Sequence, residues 1–379
     1  MDVIRKDVVV VGLGAFGTAA LWRLAERGAA VAGIERYGIG HNLGSSHGAT
    51  RLFRVACQEH PGLPPIAIKS LELWTRLGEQ VGQRLVHQTG CLSVGLPGSL
   101  TVRGTLAAAA ASGLPVAEIS PCELAARQPQ YAGLDGEVGV WDPGGGICFP
   151  ERNVRAHAEA ARRLGAEVYQ NTMALSIQER PDGVAVLTPT AEFRASQVVV
   201  AAGAWLGKLI PGLPLAPRRT PQYWFRPKDP DSRAFTLAKF PVFIWQRPDG
   251  EHLWGHGSDE GFGIKIGPGD IGLPSIDPDE VDRYIHPDTD IDPVASVMAR
   301  AFPGLDPCPA KVITCMITDS PDGQFIIGRL GGDSRIVVAG GDSGHGFKHS
   351  AGIGEFLAQI VAGEQPYCDA SFLDPARLL

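Results

Sequence analysis

The β-branched run from Asp7 to Val11 leads directly into Gly12-Leu13-Gly14-Ala15-Phe16-Gly17, and no other stretch limits the possible fold as much as this junction. Such an apolar run suits a strand buried on both faces of a parallel sheet. Ala20, Leu21, Leu24 and Ala25 then recur at helical spacing up to Gly28, a residue suited to a left-handed cap. Val31 to Glu35 reads as the next strand, and Glu35 lies 23 residues beyond Gly12. Glycines so placed let the backbone approach a pyrophosphate whose charge rests on the helix N-terminus. A carboxylate at the end of the second strand accepts hydrogen bonds from a ribose diol. The glycine pattern alone is weak, but strand, turn, helix, strand and acid in this order predict dinucleotide binding, without separating FAD from NAD.

Further strand and helix signals are spread along the chain. Asn153 to Leu164 is an amphipathic helix stopped by Gly165, Gln197 to Ala202 is an apolar strand, and Arg335 to Ala339 precedes a helix from Ser350 to Val361. At 379 residues the chain exceeds one ordinary core. The expected fold is α/β, with a doubly wound Rossmann-type domain assembled from residues 1–59, 146–217 and 316–379. Residues 60–145 and 218–315 form an α+β substrate domain with a mainly antiparallel sheet. The Arg-Pro-Asp-Gly sequences at Arg180 to Gly183 and Arg247 to Gly250 mark hairpins, because Pro presets one dihedral and Gly tolerates positive φ.

Charge and cysteine usage narrow the function classes. Lys plus Arg total 34 against 41 for Asp plus Glu, a formal charge of −7, which argues against nucleic acid and anionic membranes as partners. Seven scattered cysteines without a C-x-x-C pair suggest neither a disulfide framework nor a zinc site, and fit a reducing cytoplasm. The N-terminal apolar stretch is broken by glycines, unlike a signal peptide or a membrane span. Asp288, Asp290 and Asp292 mimic the start of a calcium loop, but Pro293 and Ala299 stand where Gly and Glu are required, so no metal is expected. Asp292 before Pro293 reads instead as an N-cap.

Three further patches hold residues suited to chemistry. Gly40 to Arg51, followed by Arg54, offers small residues with His47, Arg51 and Arg54; a loop wrapped around an anionic ligand and a solvated loop are equally compatible with that composition. Gly340 to Lys348 repeats the strand, glycine loop, helix arrangement. Cys315 and Lys265 lie in strand-like runs, where composition alone would make the first a buried hydrophobe and the second a solvent-facing cation.

Gly-Ser-x-His-Gly-x-Thr-Arg at Gly44 to Arg51, Cys-Met-x-Thr at Cys315 to Thr318 with Phe325-Ile326-Ile327, and Ser-Gly-His-Gly-Phe-Lys at Ser343 to Lys348 occur in one order. In these motifs the chain resembles the monomeric sarcosine oxidase and N-methyltryptophan oxidase family of flavin amine oxidases, nearly end to end. The resemblance implies FAD joined to Cys315 through the 8α carbon as a thioether. It implies that Lys265 assists electron transfer to dioxygen, that His47 and Arg51 lie close to the flavin ring, and that Arg54 and Lys348 clamp a substrate carboxylate. Cofactor contacts are expected at Gly12, Gly14, Ala15, Phe16, Gly17, Glu35 and Arg36, and from the next loop at Ser45, Ser46, Thr50 and Arg51. Ala202, Gly203, Trp205, Cys315 and Met316 are expected to add to these, with Gly344, His345, Gly346, Phe347 and Lys348. Trp245, Trp254, Ile317 and His345 are expected to complete the substrate pocket. Relatives carry a histidine at the position of Gly269, a tyrosine at that of Ile317 and another at that of Trp254, so a larger aromatic or cyclic secondary amine is expected in place of sarcosine. The implied protein is a monomer that oxidises a CH–NH bond and reduces O2 to hydrogen peroxide. A flavin dehydrogenase with another acceptor and a non-catalytic FAD-binding subunit share the same cofactor motifs.

Overall fold

The computed structural model describes residues 2–258, 261–269 and 274–379. Side chains along Asp2–Val11 alternate between two layers, and that alternation organises the first sheet. Val8 and Val10 belong to a helical layer, whereas Val9 and Val11 pack with Val184, Val186 and Phe193. Five strands run parallel in the order Glu167–Tyr169, Val31–Ile34, Asp2–Val11, Ala191–Val200 and Ile336–Gly340. Ala15–Glu26, Pro150–Arg163 and Ser350–Ala362 form the helical layer. The first and last cross without intervening side chains: a Cβ on Gly354 would meet the Ala19 carbonyl carbon at 2.5 Å. Opposite, Leu206, Ile210 and Leu213 pack with Val184 and Val186 of the hairpin Ser176–Arg180 and Gly183–Leu187, which itself pairs antiparallel with Ala191–Val200, where a doubly wound fold would place more helices.

The second sheet has the order Lys311–Asp319, Ala216–Phe225, Ile264–Pro268, His252–His256, Val242–Gln246, Cys91–Gly95, Val138–Asp142, Ala117–Ile119. All its pairs are antiparallel except Val242–Gln246 with Cys91–Gly95. The expected boundary between residues 315 and 316 falls inside Lys311–Asp319, a strand that pairs with the second sheet along its whole length. Gly146–Cys148 pairs with Arg51–Phe53 and Val86–Gln88 in a third, small sheet. Asp292 does not cap its helix; a helical turn, Pro287–Ile291, runs into Asp292–Ala301, and it is Asp290 that accepts hydrogen bonds, from Arg219 and the His286 amide. Among the described residues, no helix is long and apolar enough to cross a membrane.

Candidate active site

The parallel strands end in loops that face the second sheet, and a cavity of about 460 Å³ lies between them. It runs from Glu35 and Tyr37 to Ile244, Leu253 and Trp254. Ligands sit at the C-terminal ends of strands in open α/β sheets, and this cleft occupies that place.

The first loop is shaped by glycine. Gly12 has φ +86°, and a Cβ there would lie 2.6 Å from the Ala201 carbonyl oxygen; a Cβ on Gly17 would overlap the Gly12 carbonyl oxygen. Gly14 differs, because its Cβ would meet only Ser46 Oγ, at 3.5 Å. The Ala15 amide donates to that hydroxyl at 3.2 Å. Glu35 accepts from the amides of Leu13 at 2.7 Å and Tyr37 at 2.9 Å. Burial acts against its charge, but His41 and these amides hold its pKa below the ordinary value. An ionised carboxylate therefore faces the glycine turn and the helix N-terminus, a donor and acceptor set suited to the ribose and pyrophosphate of a dinucleotide.

The second loop is pinned from below by Glu151, in the first turn of its helix, which accepts from the amides of Gly48 at 2.7 Å and Ala49 at 3.1 Å. Arg51 donates to the Ser45 carbonyl at 2.8 Å and to Gln222 Oε1 at 3.2 Å, and its Nη2 lies 3.6 Å from Cys315 Sγ. Arg51 and Lys265 share the Thr50 carbonyl. Lys265 is fully buried, donates to the carbonyls of Gly48 and Thr50 at 2.9 Å each, and lies 4.9 Å from the centre of the Trp224 ring. Burial, then Arg51, pull its pKa well below the ordinary value, whereas the two carbonyls and the indole face favour its charge. Among the described residues, neither ring nitrogen of His47 has a hydrogen-bond partner; burial and Arg51 lower its pKa to about 4.

The third loop follows Ile336–Gly340. Gly341, Ser343 and Gly344 have φ of 68°, 44° and 77°, and the Ser343 amide bonds to the Thr318 carbonyl at 2.9 Å. Burial raises the Asp342 pKa to about 6. Lys348 Nζ donates to the His345 carbonyl at 2.8 Å and lies 3.6 Å from Glu59 Oε1, the oxygen that also pairs with Arg54.

Most of the residues expected from sequence line this one cavity, Arg54, Trp254, Cys315, Ile317, His345 and Lys348 among them. Gly17, Arg36, Thr50, His47, Lys265 and Trp245 do not. Gly17 is packed inside the turn, Thr50 bonds through Oγ1 to His256, His47 is buried within the loop that carries Arg51, and Lys265 lies against that loop, bonded to its Gly48 and Thr50 carbonyls. Arg36 bonds to Asp279 at 2.6 Å and lies over the rings of Tyr37 and Trp205. Placing Trp245 on the pocket wall requires correction. Alternation along Val242–Gln246 turns Ile244 to the cavity and Trp245 into the opposite core, against Tyr131 and Phe302 and bonded to Glu137 at 3.1 Å. Sequence reasoning missed Glu59, Gln222 and Asp342; a polar residue five positions after Arg54 was the one local signal, and it pointed to nothing specific.

A Rossmann-type cleft with a buried acid at one end and buried cations at the other is the arrangement of a dinucleotide-binding enzyme. The family of FAD dependent oxidoreductases, DAO, matches residues 7–360, and the chain belongs to it, within the branch of flavin amine oxidases that includes monomeric sarcosine oxidase. The chain is 34% identical to monomeric sarcosine oxidase of Streptomyces avermitilis, over 98% of this chain and 97% of that one. It is 29% identical to N-methyl-L-tryptophan oxidase of Yersinia pestis, over 98% and 99%. Among solved structures, NikD, described as an unusual amino acid oxidase essential for nikkomycin biosynthesis, superposes with a TM-score of 0.84 at 24% identity, covering 98% of each chain, a likeness of fold.

Proposed function

We propose that this enzyme oxidises a secondary amine at its CH–NH bond, or an imine, in either case one that carries a carboxylate, uses O2 as acceptor, and takes a larger aromatic or cyclic substrate in preference to sarcosine. One observation carries the reading: a cavity with two buried cations, Arg54 and Lys348, also has an apolar wall of Ile244, Trp254 and Ile317. Trp254 spends its one polar edge on the Pro268 carbonyl, at 2.9 Å, and so offers indole surface to a ligand.

Bound FAD supplies a hydride acceptor and a route for electrons to O2, which leaves as hydrogen peroxide while the imine product hydrolyses. The protein's part is positioning and charge. Arg54 and Lys348 hold the substrate carboxylate, and this fixes the reacting carbon. Cys315, buried at the wall beside Arg51, is the proposed thioether tether to the 8α carbon. Glu35 and the glycine turn hold the adenosine half. Lys265, with Arg51 beside it, supplies positive charge where oxygen is reduced. Burial lowers the pKa of both His47 and His345 to about 4, so neither adds charge near neutral pH. A substrate amine that enters neutral requires no general base.

The test is anaerobic titration of the yellow protein with N-methyl aromatic and cyclic amino acids and with their decarboxylated amines. The amino acids should bleach it at concentrations at least about 100-fold below those of the amines, and air should restore the colour with release of peroxide. Equal bleaching by both sets overturns the anchor, and no bleaching by any compound overturns the oxidase.

A further inference from the structure

Glu59 is the ionised group at the anchor that the reaction above leaves without a role. Its Oε1 pairs with Arg54 and lies 3.6 Å from Lys348 Nζ, and all three residues line the cavity. Among the described residues, Glu59 Oε2, Arg54 Nη1 and His345 Nδ1 are buried without hydrogen-bond partners, and these residues surround one end of the cleft. Unpaired buried polar atoms are costly, and these three lie together where a polar ligand in the cavity would satisfy them. An anchor that awaits a ligand would look like this one.

We propose that Glu59 is a specificity-determining residue: it is the internal counter-ion that sets the charge of the anchor to plus one, so that the site accepts a single carboxylate and rejects a dianionic ligand. This deepens the proposed function and rests on its reading of Arg54 and Lys348. Two cations and one carboxylate leave one positive charge. His345 adds none, since burial keeps its pKa near 4. A monocarboxylate then brings the buried group to neutrality, whereas a second carboxylate leaves a net negative charge facing Glu59 in a cavity poorly screened by water. The substrate class narrows to amino acids with uncharged or cationic side chains.

Two ligands of nearly the same shape separate charge from size: 3-carbamoylbenzoate with one carboxylate and isophthalate with two. Their dissociation constants are measured by calorimetry on the flavin-loaded protein, for the wild type, Glu59→Asp and Glu59→Gln. The wild type and Glu59→Asp should bind the monoanion at least about tenfold more tightly, and Glu59→Gln should lose about tenfold of that preference. Equal binding of the two ligands by the wild type overturns the proposal without recourse to a variant, and so does an unchanged ratio in Glu59→Gln. If the wild type binds neither ligand, the reading of the anchor itself falls. If Arg54→Ala abolishes binding of 3-carbamoylbenzoate while the Glu59→Gln ratio stays fixed, the anchor stands and only the role of Glu59 is lost.

Discussion

Gly14 and Gly17 belong to one motif, yet the structure separates what each is for, and alanine at the two positions should fail in different ways. At Gly17 the new Cβ overlaps the Gly12 carbonyl oxygen. Gly12 has no room to retreat, because the position of its own missing Cβ lies 2.6 Å from Ala201 and 2.7 Å from Ala202 backbone atoms. Overpacking among side chains costs about 1–3 kcal/mol, and a clash between backbones belongs at or above the upper end of that range. The gain of about 0.5–1 kcal/mol from replacing a helical glycine offsets part of it, leaving a loss of about 2–3 kcal/mol for Gly17→Ala. At Gly14, φ is −77° and the nearest neighbour of a Cβ is Ser46 Oγ at 3.5 Å, an ordinary contact, so stability should change by less than about 0.5 kcal/mol. That Cβ would project into the cavity, where the proposed pyrophosphate contact requires a close approach of the backbone. Urea unfolding of protein made in a riboflavin-limited host reports the first quantity; absorbance at flavin wavelengths per mole of chain made in a replete host reports the second. Gly17→Ala should lower the unfolding free energy, and Gly14→Ala should lower flavin content with stability intact. A fully flavinylated Gly14→Ala alongside a wild-type-stable Gly17→Ala would refute the assignment of this turn to cofactor binding.

Three further outcomes follow from the site. Lys265→Met should keep anaerobic flavin reduction within about tenfold of wild type while slowing reoxidation by O2 at least about 100-fold in stopped-flow absorbance; equal losses in both half-reactions make Lys265 structural. Cys315→Ser should leave flavin that stays in the supernatant after acid precipitation, whereas the wild-type pellet stays yellow; a colourless wild-type pellet removes the tether. Burial holds the folded-state pKa of His256 and His345 near 4, burial with Arg51 does so for His47, and burial with Arg23 lowers His157 to about 3. These histidines titrate near 6.5 once unfolded, so their contribution is complete above that pH and is lost as pH falls toward 4. Near pH 5 the loss is about 1.4 kcal/mol per pH unit for each histidine. A urea midpoint of the flavin-free chain that does not move between pH 7 and 5 contradicts this.

What the sequence revealed and what it hid divide along the distance over which each feature is determined. The strand from Asp7 to Val11, the glycine turn and Glu35 were legible because each depends on near neighbours: an apolar run, a residue able to take positive φ, a carboxylate at a strand end. The hairpins at Arg180 to Gly183 and Arg247 to Gly250 were legible for the same reason. Trp245 was not, because both faces of Val242–Gln246 are covered, so alternation shows that neighbouring residues part but not which of them meets the ligand. Lys265 was hidden more deeply. It stands between Ile264 and Ile266 in a strand where a lysine is expected to reach water, and it is the carbonyls of Gly48 and Thr50, brought over by another loop, together with the Trp224 face, that make its burial tolerable. Glu59 is the limiting case. Its spacing from Arg54 suggests at most a local ion pair, but its second partner, Lys348, enters from the opposite end of the chain through the loop after Ile336–Gly340. The charge of the proposed anchor is therefore a property of chain closure that no window of sequence contains, and in that proposal the same closure that pairs Glu59 with two cations limits which acids the site can take.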